Sequence, residues 1–243
     1  MFWENLTVDE FASAIKKSDG VCVFPIGCLE KHGNHLPLGT DIFIAREIAK
    51  RACLKEDFII FPFYPLGMVA EVKHKMGTVA LSSQLQFEIL HGICDEIYRN
   101  GIDKIIIGNG HGGNNMFLNY FAQAMLEKRQ PYVVYIVNLW ELTEKQNDYL
   151  IEKYGEVGEY GHADVYETSN ILAIDKNLAK MNKINLNECH SLHRSDDFSN
   201  SGIFTGINWY ANYPHQFAGD PSNASADYGN EILDFNAENL VEN

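Results

Sequence analysis

The chain has 243 residues, of which 46% are hydrophobic and 21% are charged, and this composition is typical of a globular domain large enough to bury a full core. Its 33 acidic residues against 19 basic ones give a formal net charge of −14, which argues against nucleic acid as a partner because phosphate binding depends on clustered lysine and arginine. We therefore expect one domain over residues 1–243.

The cysteines and the N-terminus indicate where the protein works. Five cysteines, an odd number without a Cys-x-x-Cys pair, are typical of reduced thiols in a cytoplasm. The first residues, MFWENLTVDEF, are acidic where a secretory signal would be basic, and no stretch approaches the roughly 18 apolar residues that a membrane span needs. We expect a cytoplasmic protein with no membrane partner.

Apolar periodicity predicts helices that alternate with strands, which indicates an α/β fold with a mainly parallel sheet. In chain order the predicted elements are a helix from a capping box at Thr7 and Glu10 to about Lys17, a strand over 21–26, a helix over 41–53, a strand over 57–65, a helix over 83–100 capped at Ser83 and Gln86, a strand over 104–107, a helix over 116–128, a strand over 132–137 and a helix over 162–174. Residues 185–230 resemble long loops, and the final residues resemble a helix that stops early.

The loop after the first strand contains a set of metal-ligand types. Glu30, His32, His35 and Asp41 lie within twelve residues, beyond the carboxyl end of a strand, where parallel sheets bind their ligands. Glu30 and His32 are two apart and point to the same side of an extended loop. Imidazole with carboxylates suits zinc, manganese or iron(II), and a carboxylate can bridge two ions.

A second strand-end loop, GNGHGGN, contributes His111 between a strand and a helix. Its glycines at 108, 110 and 113 formally match the dinucleotide fingerprint G-x-G-x-x-G. That fingerprint also needs an acid at the end of the next strand, where this chain has Asn138. Dinucleotide binding is therefore the weaker interpretation, and His111 is a further candidate ligand.

Three more groups of residues require an interpretation. His162 and Glu167 are five apart, so both reach one cleft only if His162 precedes the helix. Cys28 beside the candidate ligands is interpreted as a small buried residue rather than a nucleophile. The cluster of Cys189, His190 and His193 is interpreted as loop rather than as a metal site.

Four segments together resemble the creatininase (creatinine amidohydrolase) family. They are GCLEKHGNHLPLGTD at 27–41, IIIGNGHGGN at 105–114, GHADVYETSNIL at 161–172 and GDPSNASADYG at 219–229. The resemblance implies a three-layer α/β/α fold, a homo-oligomer that is commonly a hexamer, and two divalent ions per chain, Zn²⁺ with Mn²⁺ or Fe²⁺ as alternatives. In creatininase itself a glutamate follows the loop histidine by two residues, whereas this chain has Gly113; Glu167 is the natural replacement.

The resulting hypothesis is an amidohydrolase that cuts a carbon–nitrogen bond of a small amide, cyclic amide or formamide with water activated by two ions. Asp41 bridges the ions, Glu30 and His111 complete the first, and His32 and Glu167 complete the second. His162 moves a proton toward the leaving nitrogen. His35 is expected to orient a ligand.

The substrate stays open at this stage. The family shows a Phe-Pro-Gly-Thr run after the histidine at 74, whereas this chain has Lys75-Met76-Gly77-Thr78, so creatinine is doubtful. The alternatives within the family are a formamidopyrimidine deformylase or a peptidase-like hydrolase. Outside this class, the alternatives are a nucleotide-binding oxidoreductase and a non-catalytic binding protein that has lost its metals.

Overall fold

A parallel sheet forms the centre of the computed structural model, which describes residues 1–158 and 161–242. Its strands are β1 (Val21–Ile26), β2 (Ile59–Ile60), β3 (Lys104–Asn109) and β4 (Val133–Asn138). Their order across the sheet is β2-β1-β3-β4, and each pairing is parallel. The predicted α/β class and parallel sheet are confirmed. The second strand is shorter than predicted, because prolines at 62 and 65 cannot donate hydrogen bonds to a ladder.

Helices cover both faces of this sheet. They are α1 (Val8–Lys17), α2 (Thr40–Ala52), α3 (Ser83–Arg99), α4 (Asn115–Ala124), α5 (Glu144–Tyr154), α6 (Val165–Asp175), α7 (Asp196–Asn200), α8 (Asn208–Asn212) and α9 (Ala226–Glu242). One core packs α2, α6 and α9 on the sheet face that includes Val23, and the other packs α1, α3 and α4 on the face that includes Phe24. Because successive residues of a strand point to opposite faces, the two cores confirm the three layers.

The C-terminal helix differs most from the sequence-based prediction. The final residues form a helix of 17 residues, α9, rather than a helix that stops early. It packs against α6 so closely that a Cβ at Gly229 would lie 2.0 Å from the Ser169 carbonyl oxygen. Its first turn also meets α6 through the Ser225 backbone N–H, which donates to Ser169 Oγ at 3.1 Å.

Capping side chains begin several helices. The predicted box at Thr7 and Glu10 is confirmed at α1. The predicted cap of α3 is off by one residue, because Ser82 accepts from the Leu85 N–H at 3.3 Å. Gln86 is instead buried and donates to the Gly67 carbonyl oxygen at 3.0 Å, so it ties the loop before α3 to the body of the fold.

No helix within residues 1–158 and 161–242 combines the length and the apolar character that a bilayer crossing requires.

Candidate metal centre

Two glycines bring the start of α2 against the ends of β1 and β3. A Cβ at Gly27 would lie 2.8 Å from Asp41 Cβ, and one at Gly110 would lie 2.8 Å from the Asp41 carbonyl oxygen. Any side chain at either position would push the helix away. Asp41 therefore sits in the first turn of α2 between two strand-end loops, where the helix dipole favours a carboxylate.

The five predicted ligands meet at this edge of the sheet. His111 Nδ1 lies 3.0 Å from both Glu30 Oε1 and Asp41 Oδ2. His32 Nε2 lies 2.8 Å from Asp41 Oδ1 and 3.7 Å from Glu167 Oε1. Asp41 thus faces one histidine with each carboxylate oxygen, which is the geometry that the sequence-based hypothesis requires of a bridging residue.

The remaining nitrogen of each histidine contacts a backbone carbonyl. His32 Nδ1 is 3.3 Å from the Glu30 carbonyl oxygen, and His111 Nε2 is 3.1 Å from the Met68 carbonyl oxygen. A carbonyl oxygen only accepts, so these nitrogens carry the protons of the neutral rings. When a ring is neutral, its other nitrogen holds the lone pair that a cation placed between the ring and the carboxylates would accept, as in a metal-binding histidine.

Amide side chains hold the loop that contains His111. The oxygen of Asn109 accepts from the His111 N–H and from the Asn114 amide, both at 3.1 Å. The Asn109 amide in turn donates to Asn138 Oδ1 at 3.1 Å. This network was not predicted from the sequence, although Asn138 occupies the place where a dinucleotide site would need an acid.

Gly113 is required by this loop. A Cβ there would lie 2.4 Å from His111 Nε2 and 2.5 Å from the Met68 carbonyl oxygen. A glutamate at this position could not enter without displacing the His111 ring or the loop at Met68. The absence of that acid therefore agrees with the local packing, and the glycine pattern serves close approach rather than dinucleotide binding.

The start of α6 fixes the orientation of Glu167. Asp164 caps this helix by accepting from the Glu167 N–H at 2.9 Å. Ala163 has a φ of 57°, which costs a residue with a side chain on the order of 1 kcal/mol or more, and its N–H donates to Glu167 Oε2 at 2.5 Å. Glu167 Oε1 is left to face His32. Asp164 was not among the predicted site residues, although its place three residues before Glu167 is typical of a helix cap.

His162 precedes α6, as the spacing argument requires. Its ring stacks on that of His32, with centroids 4.1 Å apart, and meets Trp209 edge to face at 5.8 Å. Its Nε2 lies 2.9 Å from the Lys31 carbonyl oxygen, so the neutral ring donates through Nε2. Nδ1 is then the nitrogen that remains for other chemistry.

The carboxylates and imidazoles perturb one another strongly. Burial acts to lower the pKa of His32 and His111, yet the facing carboxylates outweigh it and raise both pKa values well above their ordinary range. Burial likewise acts to raise the pKa of Glu30 and Asp41, and the histidines lower both. Groups this strongly coupled in a buried cluster are typical of functional sites.

The same atoms fit divalent metal ions. Among the described residues, Glu30 Oε1 and His32 Nε2 are buried without a hydrogen bond. Three overlapping sets each bring their ligand atoms within 4.8 Å of one another, and they are Cys28, Glu30, Asp41 and His111, then His32, Asp41 and Glu167, and then Glu30, His32 and His162. Imidazole nitrogens and carboxylate oxygens in such sets suit Zn²⁺, Mn²⁺ or Fe²⁺.

Cys28 contacts one of the candidate ligands, Asp41. Its thiol is buried and donates to Asp41 Oδ2 at 3.1 Å. Burial, followed by the charges of Asp41 and Glu30, raises the pKa of this thiol well above its usual value. Cys28 is therefore a protonated donor to the shared carboxylate, and the interpretation as a nucleophile has no support.

A cleft of about 640 Å³ opens directly over the cluster. Its lining includes Glu30, Asp41, His111, His162 and Glu167. The walls are largely apolar and aromatic, and they include Leu139, Trp140, Leu142, Tyr166 and Trp209. Pockets of this size and composition are typical of sites for small molecules.

Other histidines singled out in the sequence lie apart from the cluster. His35 Nε2 contacts Thr168 Oγ1 at 3.1 Å, beside Glu167 on α6, and its expected role in orienting a ligand stays a prediction. The ring of His74 lies against Tyr210. His193 pairs with Asp196, and the Cys189 cluster forms no metal-ligand set among the described residues.

Comparison with known proteins places this site in a family. The family model described as creatinine amidohydrolase matches residues 4–243. The creatinine amidohydrolase of Pseudomonas putida is 25% identical over 76% of this chain and 75% of that protein. The 2-amino-5-formylamino-6-ribosylaminopyrimidin-4(3H)-one 5'-monophosphate deformylase of Methanobrevibacter smithii is 26% identical over 72% of this chain and 85% of that protein.

Solved structures agree at the level of the fold. A mutant creatininase of Zn-Zn type superposes with a TM-score of 0.79 over 99% of this chain and 95% of that chain, at 20% identity. A creatininase described with Mn gives a TM-score of 0.79 over 99% and 96%, at 21% identity. Because the family model spans almost the whole sequence, this chain belongs to the creatininase family of amidohydrolases.

Proposed function

We propose that this protein is a metal-dependent hydrolase that cleaves a carbon–nitrogen bond in a small amide, cyclic amide or formamide. The observation that carries the proposal is the paired arrangement of His32 and His111. Each ring donates to a backbone carbonyl through one nitrogen and directs the other toward Asp41. Such a pair around one shared carboxylate is suited to hold two cations side by side.

In this proposal Glu30 and His111 would hold the first ion and His32 and Glu167 would hold the second, and Asp41, which faces both histidines, would serve both ions. The residues fit Zn²⁺, with Mn²⁺ or Fe²⁺ as alternatives, and related creatininases are described with Zn-Zn and with Mn. When bound, two such ions supply Lewis acidity to a carbonyl group and acidify water at neutral pH.

In this proposal His162 is the side chain that transfers the proton. Its Nε2 donates to the Lys31 carbonyl oxygen, and the ring is held between His32 and Trp209. Nδ1 is thereby left with its lone pair, so it can accept a proton from the attacking water and pass that proton to the departing nitrogen. The apolar walls exclude water from that nitrogen and orient the substrate.

Three single variants test this proposal. Glu30→Gln should reduce the bound metal and abolish hydrolysis of a panel of creatinine, formamides and short peptides. His162→Gln should keep its metal and lose activity, because proton transfer contributes about 10²–10⁴-fold to such reactions. Glu152→Gln, an exposed substitution of the same type on α5, is the matched control. Full activity in both site variants would end the proposal.

A deformylase is the second candidate function. The relative from M. smithii is named as a deformylase and aligns with 72% of this chain. A mycofactocin precursor peptide peptidase of Mycobacterium tuberculosis is 28% identical but aligns with only 42% of this chain and 45% of that protein, so a peptidase has narrower support. Gly113 and the Lys75–Met76 stretch argue against creatinine. Hydrolysis of formamides without hydrolysis of creatinine would favour the deformylase.

A further inference from the structure

The loop from Gly67 to Leu81 forms part of the rim of the cleft, and its first residues are fixed. Met68 donates its N–H to Asn114 Oδ1 at 2.9 Å and accepts from His111 Nε2 through its carbonyl. The Gly67 carbonyl oxygen accepts from the buried Gln86 amide. The start of the loop is thus tied to the same residues that hold His111.

A short 3₁₀ turn, Ala70–Val72, follows this anchor. Val69 and Val72 are both fully buried and pack with Cys28. With a buried valine on each side of the Ala70–Glu71 pair, the turn is held in place, and the half-buried Glu71 lines the cleft. Within the described part of the chain, its carboxylate has no side-chain hydrogen bond and no ion pair.

The other described carboxylates that line the cleft already have partners. Glu30, Asp41 and Glu167 face the histidines and would neutralise bound cations. Asp164 accepts from the backbone N–H groups of Gly161 and Glu167. Among the described residues that line the cleft, Glu71 is therefore the carboxylate that neither the fold nor the proposed metal site uses.

Lysine and arginine side chains do not neutralise the negative charge of Glu71. No Lys or Arg is found among the described residues that line the cleft. Lys31 donates to the His215 carbonyl oxygen at 2.7 Å, and Lys75 lies over the Tyr210 ring. The aromatic walls also include tryptophan, whose face attracts cations.

We propose that Glu71 is a specificity-determining residue of this cleft. It selects substrates whose group distal to the scissile bond is a cation or an N–H donor, and it disfavours substrates that carry a phosphate or a carboxylate there. The inference rests on the proposed function, which it narrows from small amides in general to neutral or cationic ones. A phosphorylated pyrimidine, of the kind named for the M. smithii relative, would find no lysine or arginine among the described lining residues and would face the Glu71 carboxylate.

The test uses two probes of nearly equal shape, the benzamidinium cation and neutral benzamide. Their binding is followed by quenching of tryptophan emission, with and without added ZnCl₂. Of the three tryptophans, Trp140 and Trp209 line the cleft, whereas Trp3 packs against Phe11 and Phe61 and gives a constant background. We expect benzamidinium to bind about tenfold more tightly than benzamide, since a tenfold ratio needs only a modest Coulombic attraction.

Variants at position 71 should change this ratio. Glu71→Gln should bring the two affinities within about twofold and Glu71→Lys should reverse the preference, because a charge reversal turns the attraction into repulsion. Glu152→Gln, far along the chain on the exposed side of α5, should keep the ratio of the unmodified protein. Raising NaCl from about 0.05 to about 0.5 M should weaken only benzamidinium binding in the unmodified protein.

An unchanged ratio in Glu71→Gln, equal affinities in the unmodified protein, or no binding of either probe would overturn the inference. The readout is binding, so the two proposals fail separately. A protein that discriminates the probes but hydrolyses no amide contradicts only the hydrolase, and a protein that hydrolyses amides without discriminating contradicts only the role of Glu71.

Discussion

The candidate metal centre has two halves that rest on different parts of the fold. The first half is Glu30 and His111, the second half is His32 and Glu167, and Asp41 belongs to both. Glu30 and His111 follow β1 and β3, which pair directly in the sheet, and both side chains are almost fully buried. Glu167 projects from α6, which lies outside the sheet, and its side chain is 19% exposed. Water and chelators therefore reach Glu167 more easily than they reach Glu30 or His111. We therefore expect the first ion to be bound more firmly than the second.

Asp41→Asn should have the largest effect, because Asp41 serves both halves. Loss of one carboxylate charge between His32 and His111 should remove both ions and lower hydrolytic activity by more than about 100-fold, the upper end of what outer-shell changes cost. Metal analysis after gel filtration measures the occupancy. The matched control is Asp148→Asn on the exposed face of α5. Retention of both ions in Asp41→Asn would show that this carboxylate does not bridge them.

The two ions should be released to a chelator at different rates. We expect the unmodified protein to release metal to EDTA in two phases, with the ion held by Glu167 leaving first. Glu167→Gln should remove the fast phase, and Glu30→Gln should remove the slow one. Stopped-flow measurements with a chromogenic chelator record the phases. A single phase that both variants accelerate equally would contradict the difference in solvent exposure between the two sites.

Gly113→Ala should damage the first half alone. The new Cβ would meet His111 Nε2 and the Met68 carbonyl oxygen, and overpacking of this kind costs about 1–3 kcal/mol of unfolding free energy. Gly112→Ala is a matched neighbour, because nothing lies within 4 Å of its added Cβ. Thermal unfolding and the slow metal-release phase measure the effect. Equal behaviour of the two variants would remove the steric explanation for glycine at 113.

The smallest expected effect is a pH dependence of stability. In the metal-free protein, the raised pKa values of His32 and His111 stabilise the fold below about pH 6.5, and this contribution is lost as the pH rises through the folded-state values. The lowered pKa values of Glu30 and Asp41 stabilise above about pH 4, and that contribution is lost on acidification. The metal-free form should therefore be most stable between these limits.

Metal binding requires neutral imidazoles. The stabilisation by metal should therefore increase as the pH rises, whereas the stabilisation by the protonated histidines of the metal-free protein decreases. The rise in melting temperature on adding ZnCl₂ should be larger at about pH 8 than at about pH 6, by about 2–4 °C for each kcal/mol that proton competition removes. Melting curves with ZnCl₂ and with EDTA at both pH values provide the comparison. A metal effect that does not change with pH would mean that the two histidines do not bind the ions.

The first half of the centre was the more predictable from the sequence. Its ligands follow apolar strands, and parallel strands place their carboxyl ends at one edge, so periodicity and residue type sufficed to bring Glu30, Asp41 and His111 together. The position of His162 before α6 was also predictable, because helical geometry left one arrangement that could serve a single cleft. Glu167 as a ligand needed the family resemblance.

The remaining features depend on contacts between distant parts of the chain. Trp209 reaches His162 from a segment without periodicity, and Glu71 reaches the cleft because two neighbouring valines are buried. Neither residue lies in a motif, so local sequence carried no signal for them. The length of α9 was missed because its apolar residues are spaced among many polar ones, and packing against α6 decides its extent. The homo-oligomer and the cytoplasmic location stay predictions.

The contact between α9 and α6 also bears on the order in which the protein is made. The ribosome releases the loops that contain Glu30 and His111 long before it releases α9, by a delay of the order of ten seconds at ordinary rates of translation. Until α9 emerges, α6 lacks the surface that supports it. Because α2, which carries Asp41, packs in the same core as α9, the carboxylate shared by both halves also gains its full support only when α9 has been made.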